Sequence, residues 1–443
     1  MRGLNPPGPR GHLLTGNWPE FHKDQLGFLT GAAREFGDIV RLRFLHLPVY
    51  LLNDPKHIEW VFTSRNFTKP ISLRLPLQRR IFGNGLLSSQ GEAWLLKRRH
   101  TQVAFHRDRL ATYGDAMVAC TSKMLAGWQA GQIHDVCEDM RTLALEIAAR
   151  CLFNFDMSSD VAMVRDVCNT IARVFASQGP MWVLDNVLPT PNNLRFRKAI
   201  NRLDTLIYDL IATREQERGD DLLSMLISAQ DEDGARMSSQ QLRDELATLF
   251  FASHEAAALV LSWTCYLLAL CPDAQATLVD EVRNLMNGRT TPTTADLPAL
   301  RYTRTVILEA MRLYPPNRSV GREALKDCEI DNYRVPAGAQ IIMSQWVVHR
   351  DARYFARPEE FQPDRWTAKF TQQLPKYAYF PFGGGPRVCI GQEFAMMEAL
   401  LVIATMLLRF KLALVDGHIV EPYPAVLLRP RNGIKICLSE HAY

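Results

Sequence analysis

The sequence has no Cys-x-x-Cys pair, no tandem repeat, no low-complexity tract and no stretch that reads as an interdomain linker. Its nine cysteines are scattered along 443 residues. An odd count in a long chain argues against a disulfide framework, and the spacing argues against a structural zinc site. Most of the cysteines read as buried thiols in a reducing compartment. An excess of one charge is lacking too: 51 Lys and Arg face 47 Asp and Glu, a net charge of +4. That balance is too even to imply nucleic-acid binding. The first residues, MRGLNPPGPRGHLL, carry no apolar run of signal-peptide or anchor length. Pro6, Pro7 and Pro9 suggest a stiff, extended lead-in. The most membrane-like stretch, Ala256 to Pro272, follows directly on His254 and Glu255. It is marginal for a bilayer and reads as part of one longer core helix.

What is present is an ordinary globular composition, 47% apolar and 22% charged. Residues 38–53 alternate and are rich in β-branched and aromatic residues, which predicts a β-hairpin. Helical periodicity dominates from about 90 to 315. It predicts helices near 92–105, 110–129, 138–153, 160–176, 194–216, 239–270, 273–287 and 298–313. Short strands are expected over 328–345, an irregular Pro-rich and aromatic stretch over 357–388, and an amphipathic helix over 391–409. The expectation is one mainly α domain with a small β portion (α+β) spanning 1–443. It has a lead-in over about 1–20, a β-rich part at about 35–70 and 325–345, and a helical part at about 90–315 and 390–410.

The strongest local signal is Phe382-Gly383-Gly384-Gly385-Pro386-Arg387-Val388-Cys389-Ile390-Gly391. Three glycines allow a backbone excursion closed to other residues. Cys389 then stands just before a helix, where the dipole and open N–H groups favour a thiolate. Gly391 would let a flat ligand lie against the helix backbone, and Arg387 would pair with an anionic group on it. A phosphate loop is excluded because no Lys-Ser/Thr follows. A buried, inert thiol is the default for a lone cysteine.

These ten residues carry all five fixed positions of F-x-x-G-x-R-x-C-x-G, and here the chain resembles the cytochrome P-450 family. The resemblance implies the P-450 fold, with haem b (iron protoporphyrin IX) between the central long helix and the cysteine-loop helix. It makes Cys389 the axial metal ligand, whose thiolate pushes electron density toward O–O cleavage. Phe382 and Gly391 belong to the same cofactor-binding set. Glu309 and Arg312, at i,i+3 in VILEAMRLYPP, match the family's E-x-x-R, with Arg365 as the third member of a structural triad. Trp94 and Arg98 match W-x-x-x-R and lie on one helix face. Arg322 opens a later strand. Trp94, Arg98, Arg322 and Arg387 are thereby candidates to bind the haem propionates. Lys97, Arg98, Arg99, His100, Arg107 and Arg109 form a basic stretch. Its plain reading is a solvated helix face; the resemblance suggests that part of it docks an acidic electron donor.

The sequence departs from the family in the oxygen helix. The usual A-G-x-[DE]-T-[TS] reads Ala252-Ser253-His254-Glu255-Ala256-Ala257. Glu255 keeps the acid. Ala256 replaces the threonine credited with ordering a proton-carrying water chain, and alanine neither donates nor accepts. Three readings are open at the catalytic set Glu255, Ser253 and Ala256. The substrate supplies a hydroxyl; Ser253 substitutes from the same face; or the enzyme does not activate dioxygen in the usual way.

By resemblance the substrate pocket draws on Ile71, Leu73, Leu75, Ile81, Phe250, Phe251, Val320, Val426 and Leu427, which favours an apolar fatty acid, terpenoid or polyketide-like substrate. Arg318 is the odd residue there, either anchoring a carboxylate or, the preferred reading, pointing to solvent. The expected function is a cytoplasmic haem-thiolate monooxygenase, an oxidoreductase inserting one atom of O2. Its electrons come from a separate ferredoxin or flavodoxin-type donor with its reductase, since no reductase fits in the remaining sequence. No nucleic-acid partner and no membrane anchor are expected. The alternative is a peroxygenase or rearrangement catalyst, motivated by Ala256. A non-catalytic haem gas sensor is the third possibility, and nothing resembles its output domain.

Overall fold

The computed structural model describes residues 4–70, 75–157, 161–176, 190–217, 219–230, 234 and 236–440. The backbone clusters into two compact units. One comprises Met1–Ser72, Thr305–Cys389 and Pro422–Arg429. The other comprises Leu73–Arg304, Ile390–Glu421 and Pro430–Tyr443.

The first unit is built on a five-stranded sheet. Its order is Ile39–Phe44, Leu47–Leu52, Gln340–Met343, Val320–Ala324 and Phe67–Thr68. The hairpin expected at 38–53 is its first pair, antiparallel with Ile39 opposite Leu52. Leu47–Leu52 runs parallel to Gln340–Met343; the remaining pairs are antiparallel. Alternation sends Ile39, Tyr50 and Leu52 to one face, where they pack with Phe62, Phe380 and Met343. Val40, Leu42, Val49 and Leu51 go to the other face, against Leu29 and Ala32. Leu29 and Ala32 belong to the helix Gln25–Phe36, capped by Asp24, whose side chain accepts from the Gly27 amide.

The second unit is helical. Its spine is Ser239–Leu270, opened by a capping box in which Ser238 and Gln241 satisfy each other's backbone amides. The long helix packs against Val136–Phe153, Pro191–Gln216 and Gln392–Arg409. By length and composition it is apolar enough to cross a membrane, but 72% of its most apolar window is buried inside the protein. A three-stranded sheet, ordered Ile133–Asp135, Lys435–Glu440 and Phe410–Leu414, closes this unit. Gln392–Arg409 departs from the amphipathic expectation. Thirteen of its residues are buried, Phe394 to Leu407 almost without interruption. Even Glu398 lies inside, where burial pushes its carboxyl well above the usual range.

All nine cysteines stay outside disulfides. Cys120, Cys137, Cys151, Cys168 and Cys265 are buried, and Cys389 is exposed. Burial pushes the Cys137 thiol up to about 12.

Candidate functional site

The cysteine loop belongs to the first unit and is held by packing that only glycine permits. Gly383 and Gly385 have φ of +74° and +66°. A Cβ at Gly384 would lie 2.3 Å from the Tyr377 ring, and one at Gly385 would lie 2.1 Å from the Phe62 carbonyl oxygen. The loop is therefore pressed onto the helix Pro55–Thr63, with Phe62 packed against Tyr377 and Phe380. The Cys389 amide donates to the Phe382 carbonyl at 3.0 Å, and the Gly383 amide to that of Phe380 at 2.9 Å. The turn leaves Cys389 exposed, which separates it from the inert core cysteines.

Cations gather beside this loop. The Arg322 guanidinium stacks over the Phe62 ring at 5.2 Å and donates to the Gly321 carbonyl at 2.8 Å. Arg322 is pulled down to about 10 by burial and by the charge of Arg387. Lys69 completes the group. Thr68 pairs with Glu323, so continuing the antiparallel register sets Lys69 opposite Arg322. Burial, then Arg387 and Arg322, pull Lys69 down to about 8. No sequence pattern marked Lys69; the strand register that places it there joins segments far apart in the chain.

Glu309, Arg312 and Arg365 meet in the interior of the same unit. Both Glu309 and Arg312 are fully buried. Arg312 grips Glu309 with two bonds of 2.9 and 2.8 Å, and Arg365 reaches the Oε1 of Glu309 at 3.0 Å. The Trp366 indole and the Gln362 amide complete the carboxylate's shell, at 2.9 and 3.0 Å. Arg312 also donates to the carbonyls of His349, Pro358 and Glu360. His349 in turn accepts from the Phe380 amide at 2.9 Å, two residues before the cysteine loop begins. Sequence pattern did not mark Trp366, Gln362 or His349.

In the second unit Trp94 and Arg98 share a face of the helix Gly91–Gln102, with the guanidinium 5.8 Å from the indole ring centroid. Gly391 stands just before Gln392–Arg409; a Cβ there would meet only the Phe105 ring, at an ordinary 3.6 Å. Protein packing alone thus leaves room for a side chain at 391. Glu255 approaches Arg141 at 3.9 Å, and Arg141 also pairs with the half-exposed Glu138 at 3.0 Å and bonds Asn169 at 3.1 Å. Ser253 donates to its own helix, to the Phe250 carbonyl at 3.3 Å.

Two readings need correction. The side chain of Arg318 does not point to solvent. It donates to the Ala425 carbonyl at 2.7 Å and to the Gln25 side chain at 2.6 Å, tying the turn before Leu428–Pro430 to the helix Gln25–Phe36. The basic stretch is not uniformly solvated either. Lys97 turns inward to the fully buried Glu245 at 3.4 Å, and Arg109 is engaged by Asp220. Arg99 remains exposed. Of the pocket residues, Ile81 and Phe250 are buried, Phe250 stacking on Phe153 at 6.1 Å. Val426 is 49% exposed. Ile71 and Leu73, and the side chain of Leu75, lie outside the described residues.

The sequence profile of the cytochrome P-450 family matches residues 6–438. The chain belongs to the cytochrome P-450 family. It is 34% identical over 427 residues to a protein named cyclooctatin synthase from Streptomyces melanosporofaciens, covering 95% of this chain and 92% of that one. It is 32% identical to cyclooctat-9-en-7-ol 5-monooxygenase of the same organism, over 86% and 84% of the two chains. Identity is again 32% to pentalenene oxygenase of Streptomyces avermitilis, over 89% of each. Two solved P-450 structures share the fold at 24% identity. A retinoic-acid-bound cyanobacterial P-450 superposes with a TM-score of 0.87, over 99% of this chain and 100% of that one. A second P-450 haem domain gives 0.89, over 100% and 99%. As a P-450 the protein is a haem-dependent oxidoreductase.

Proposed function

We propose that this P-450 is a monooxygenase of apolar terpenoids, with Cys389 as the axial ligand of its haem. The observation that carries the reading is the exposed Cys389 in a glycine-bound turn beside three cations, in a chain whose relatives are named for oxidising cyclooctatin- and pentalenene-type skeletons. The donor set of the first unit fits the cofactor: one thiol for the iron, and Arg387, Arg322 and Lys69 for its carboxylates. When bound, the haem supplies reductive activation of dioxygen, which the thiolate promotes.

The chain's own residues hold the group and govern protons. Burial and then the charges of Arg387 and Arg322 pull Lys69 down, and burial and Arg387 pull Arg322 down, so a carboxylate among them relieves both. Lys69 then provides a test. A neighbouring carboxylate raises its value above the about 8 of the haem-free protein. Haem binding takes up a proton in that window, so affinity falls as pH rises past it. Haem transfer to apomyoglobin should speed up above pH 8 in the wild type, and Lys69→Met should abolish that dependence. At neutral pH the variant should lose about 1.5–3 kcal/mol of haem affinity. A pH profile identical in both proteins would remove Lys69 from the site.

Glu255 is the acid of the oxygen helix, and Arg141 links it to the half-exposed Glu138. Ser253 spends its proton on the Phe250 carbonyl. It therefore accepts but does not donate toward position 256, leaving the substrate's own hydroxyl as the missing donor. The function test follows. Polycyclic terpenes, with and without a hydroxyl, are screened for a ligand-induced spin shift, then turned over with a ferredoxin and its reductase or with hydrogen peroxide alone. The monooxygenase reading requires oxygenated product with the electron donor. Product with peroxide only, or an isomer with neither, favours the alternative suggested by Ala256. Ala256→Thr should lower uncoupled peroxide release on substrates that lack a hydroxyl. No change there would acquit Ala256 of weakening proton delivery. The donor is a small acidic ferredoxin or flavodoxin, met by Arg99 and its basic neighbours, and the enzyme works in the cytoplasm.

A further inference from the structure

In the second unit, the end of the short helix Leu75–Phe82 is fixed on two longer helices, residue by residue. The Ile81 carbonyl accepts from Arg243 at 2.7 Å, and the Phe82 ring stands edge-on to Phe251 at 5.6 Å. The Asn84 amide, just beyond, donates to Asp244 at 2.8 Å. All three partners belong to Ser239–Leu270. Arg80, partly buried, turns instead to Pro191–Gln216, where its guanidinium lies over the Phe196 ring at 5.7 Å. Next to Phe196 stands Arg197, which donates to the Asn193 side chain at 3.2 Å. The two arginines are near enough to repel: burial first, and then the charge of Arg197, pull Arg80 down.

The acids of these helices are engaged elsewhere. Leu75–Phe82 carries Arg79 and Arg80 and no acid. Residues 191–203 carry Arg195, Arg197, Lys198 and Arg202, all exposed, and no acid either. Asp204, the first acid of that helix, holds Arg243 at 2.8 Å, and Asp244 takes the same guanidinium at 3.2 Å. Asp166, on Val161–Ala176, lies 4.0 Å from Arg202. Asp209 and Glu215 stand at least twelve residues beyond Arg197, about 18 Å or more along the helix. Exposed cations alone are simply solvated. Arg80 differs, because it is partly covered, seated on an aromatic ring, and joined through Ile81 and Phe82 to residues expected to line the substrate pocket. Arg318, the other arginine considered for a substrate carboxylate, is taken by the Ala425 carbonyl and the Gln25 side chain.

We propose that Arg80, with Arg197 beside it, anchors a carboxylate of the substrate, so that the terpenoid is an acid whose apolar body runs along Phe82 and Phe251 toward Glu255 and Ala256. Phe251 stands one turn before Glu255 on the same helix face. A guanidinium grips a planar carboxylate through two parallel bonds. A molecule that carries its charge in past two phenyl rings is better served by a single carboxylate than by a more strongly hydrated phosphate. The terpenoid body rests on the function proposed above; the carboxylate rests on the cations.

The test titrates the haem-loaded full chain with abietic acid, a tricyclic diterpene acid, and with palmitic acid, each against its methyl ester, reading the ligand-induced spin shift. The wild type should bind abietic acid at least about tenfold more tightly than the ester, as a charge-assisted pair demands, and salt should narrow the ratio. Arg80→Gln should bring the ratio close to one, and Arg197→Gln, at an exposed position, should lower it less. If Arg80→Gln does not fold, Arg80→Lys keeps the charge without the fork and should give an intermediate ratio. Equal affinity for acid and ester in both pairs, an acid preference that survives these substitutions, or no spin shift with either acid overturns the proposal. So does Arg80-dependent retention on an immobilised acidic acyl carrier protein without any acid preference, which would assign the cations to a protein partner. An Arg80-dependent preference for palmitic acid, with none for abietic acid, would keep the anchor and remove the terpenoid body, so the two readings fail separately.

Discussion

Cys389→Ser should yield a protein that folds but no longer gives the thiolate-type spectrum of a reduced, carbon monoxide-treated P-450. Its oxygenase turnover should fall by more than the roughly 10–100-fold that loss of an outer-shell partner costs at a metal site. The fold should survive because the loop is held by its glycines and its backbone. Gly384 and Gly385 lie against Tyr377 and Phe62, and the backbone of Cys389, not its side chain, bonds Phe382. Serine fits the same turn. What is lost is a ligand that ionises readily and donates electron density, since a hydroxyl at that position is a far weaker acid than a thiol. Absorbance spectra, haem content by pyridine haemochrome and thermal unfolding, measured together, separate the outcomes. A thiolate-type spectrum in the variant would move the ligand to another cysteine. Cys271, Cys328 and Cys437 are the other cysteines not classed as buried, and each is partly covered.

The cysteine loop and the long helices were legible for a shared reason: their physics is local. A glycine run, a cysteine and a helix start lie within ten residues, and the apolar period of the long helix sets its bounds at 239–270, where the structure places them. The missed elements are short or punctuated. Gln25–Phe36 carries Gly27 and Gly31, which dilute its period, and packing of Leu29 and Ala32 on the sheet overrides that propensity. Pro55–Thr63 begins with Asp54-Pro55, which reads as a turn yet serves as cap and first helical residue. Trp18–Lys23, Leu75–Phe82 and Leu222–Ser228 are at most eight residues long. Site residues divide the same way. Glu309 and Arg312 share a helix turn and were visible together. Lys69, His349 and Trp366 reach their places through strand pairing and side-chain contacts between distant segments, which one sequence does not display. The inward turns of Lys97 and Arg318 are of this kind too. A basic residue reads as solvated until a buried carboxylate or carbonyl from elsewhere claims it.

Removing one partner from the Glu309 cluster should cost about 3–5 kcal/mol of stability, the range for stranding a buried charge. Glu309→Ala leaves two guanidiniums facing each other, because Arg312 and Arg365 both bond the same carboxylate. Arg312→Ala strands more. It orphans Glu309 and uncovers the carbonyls of His349, Pro358 and Glu360 at once. A double Glu309→Leu, Arg312→Leu replacement is a sharper test. Buried ion pairs elsewhere often yield to apolar residues without loss. Here the double variant should remain unstable, because three carbonyls and Arg365 still lack their partners. The damage should reach the haem as well. His349 accepts from the Phe380 amide while its other neighbour, Arg312, is anchored to Glu309, so release of Arg312 frees the strap leading into Phe382–Gly391. Denaturant unfolding of the holoprotein with parallel haem-loss kinetics measures both effects. Stability restored by the double replacement would reduce the cluster to a dispensable ion pair. Instability with unchanged haem retention would cut its link to Cys389.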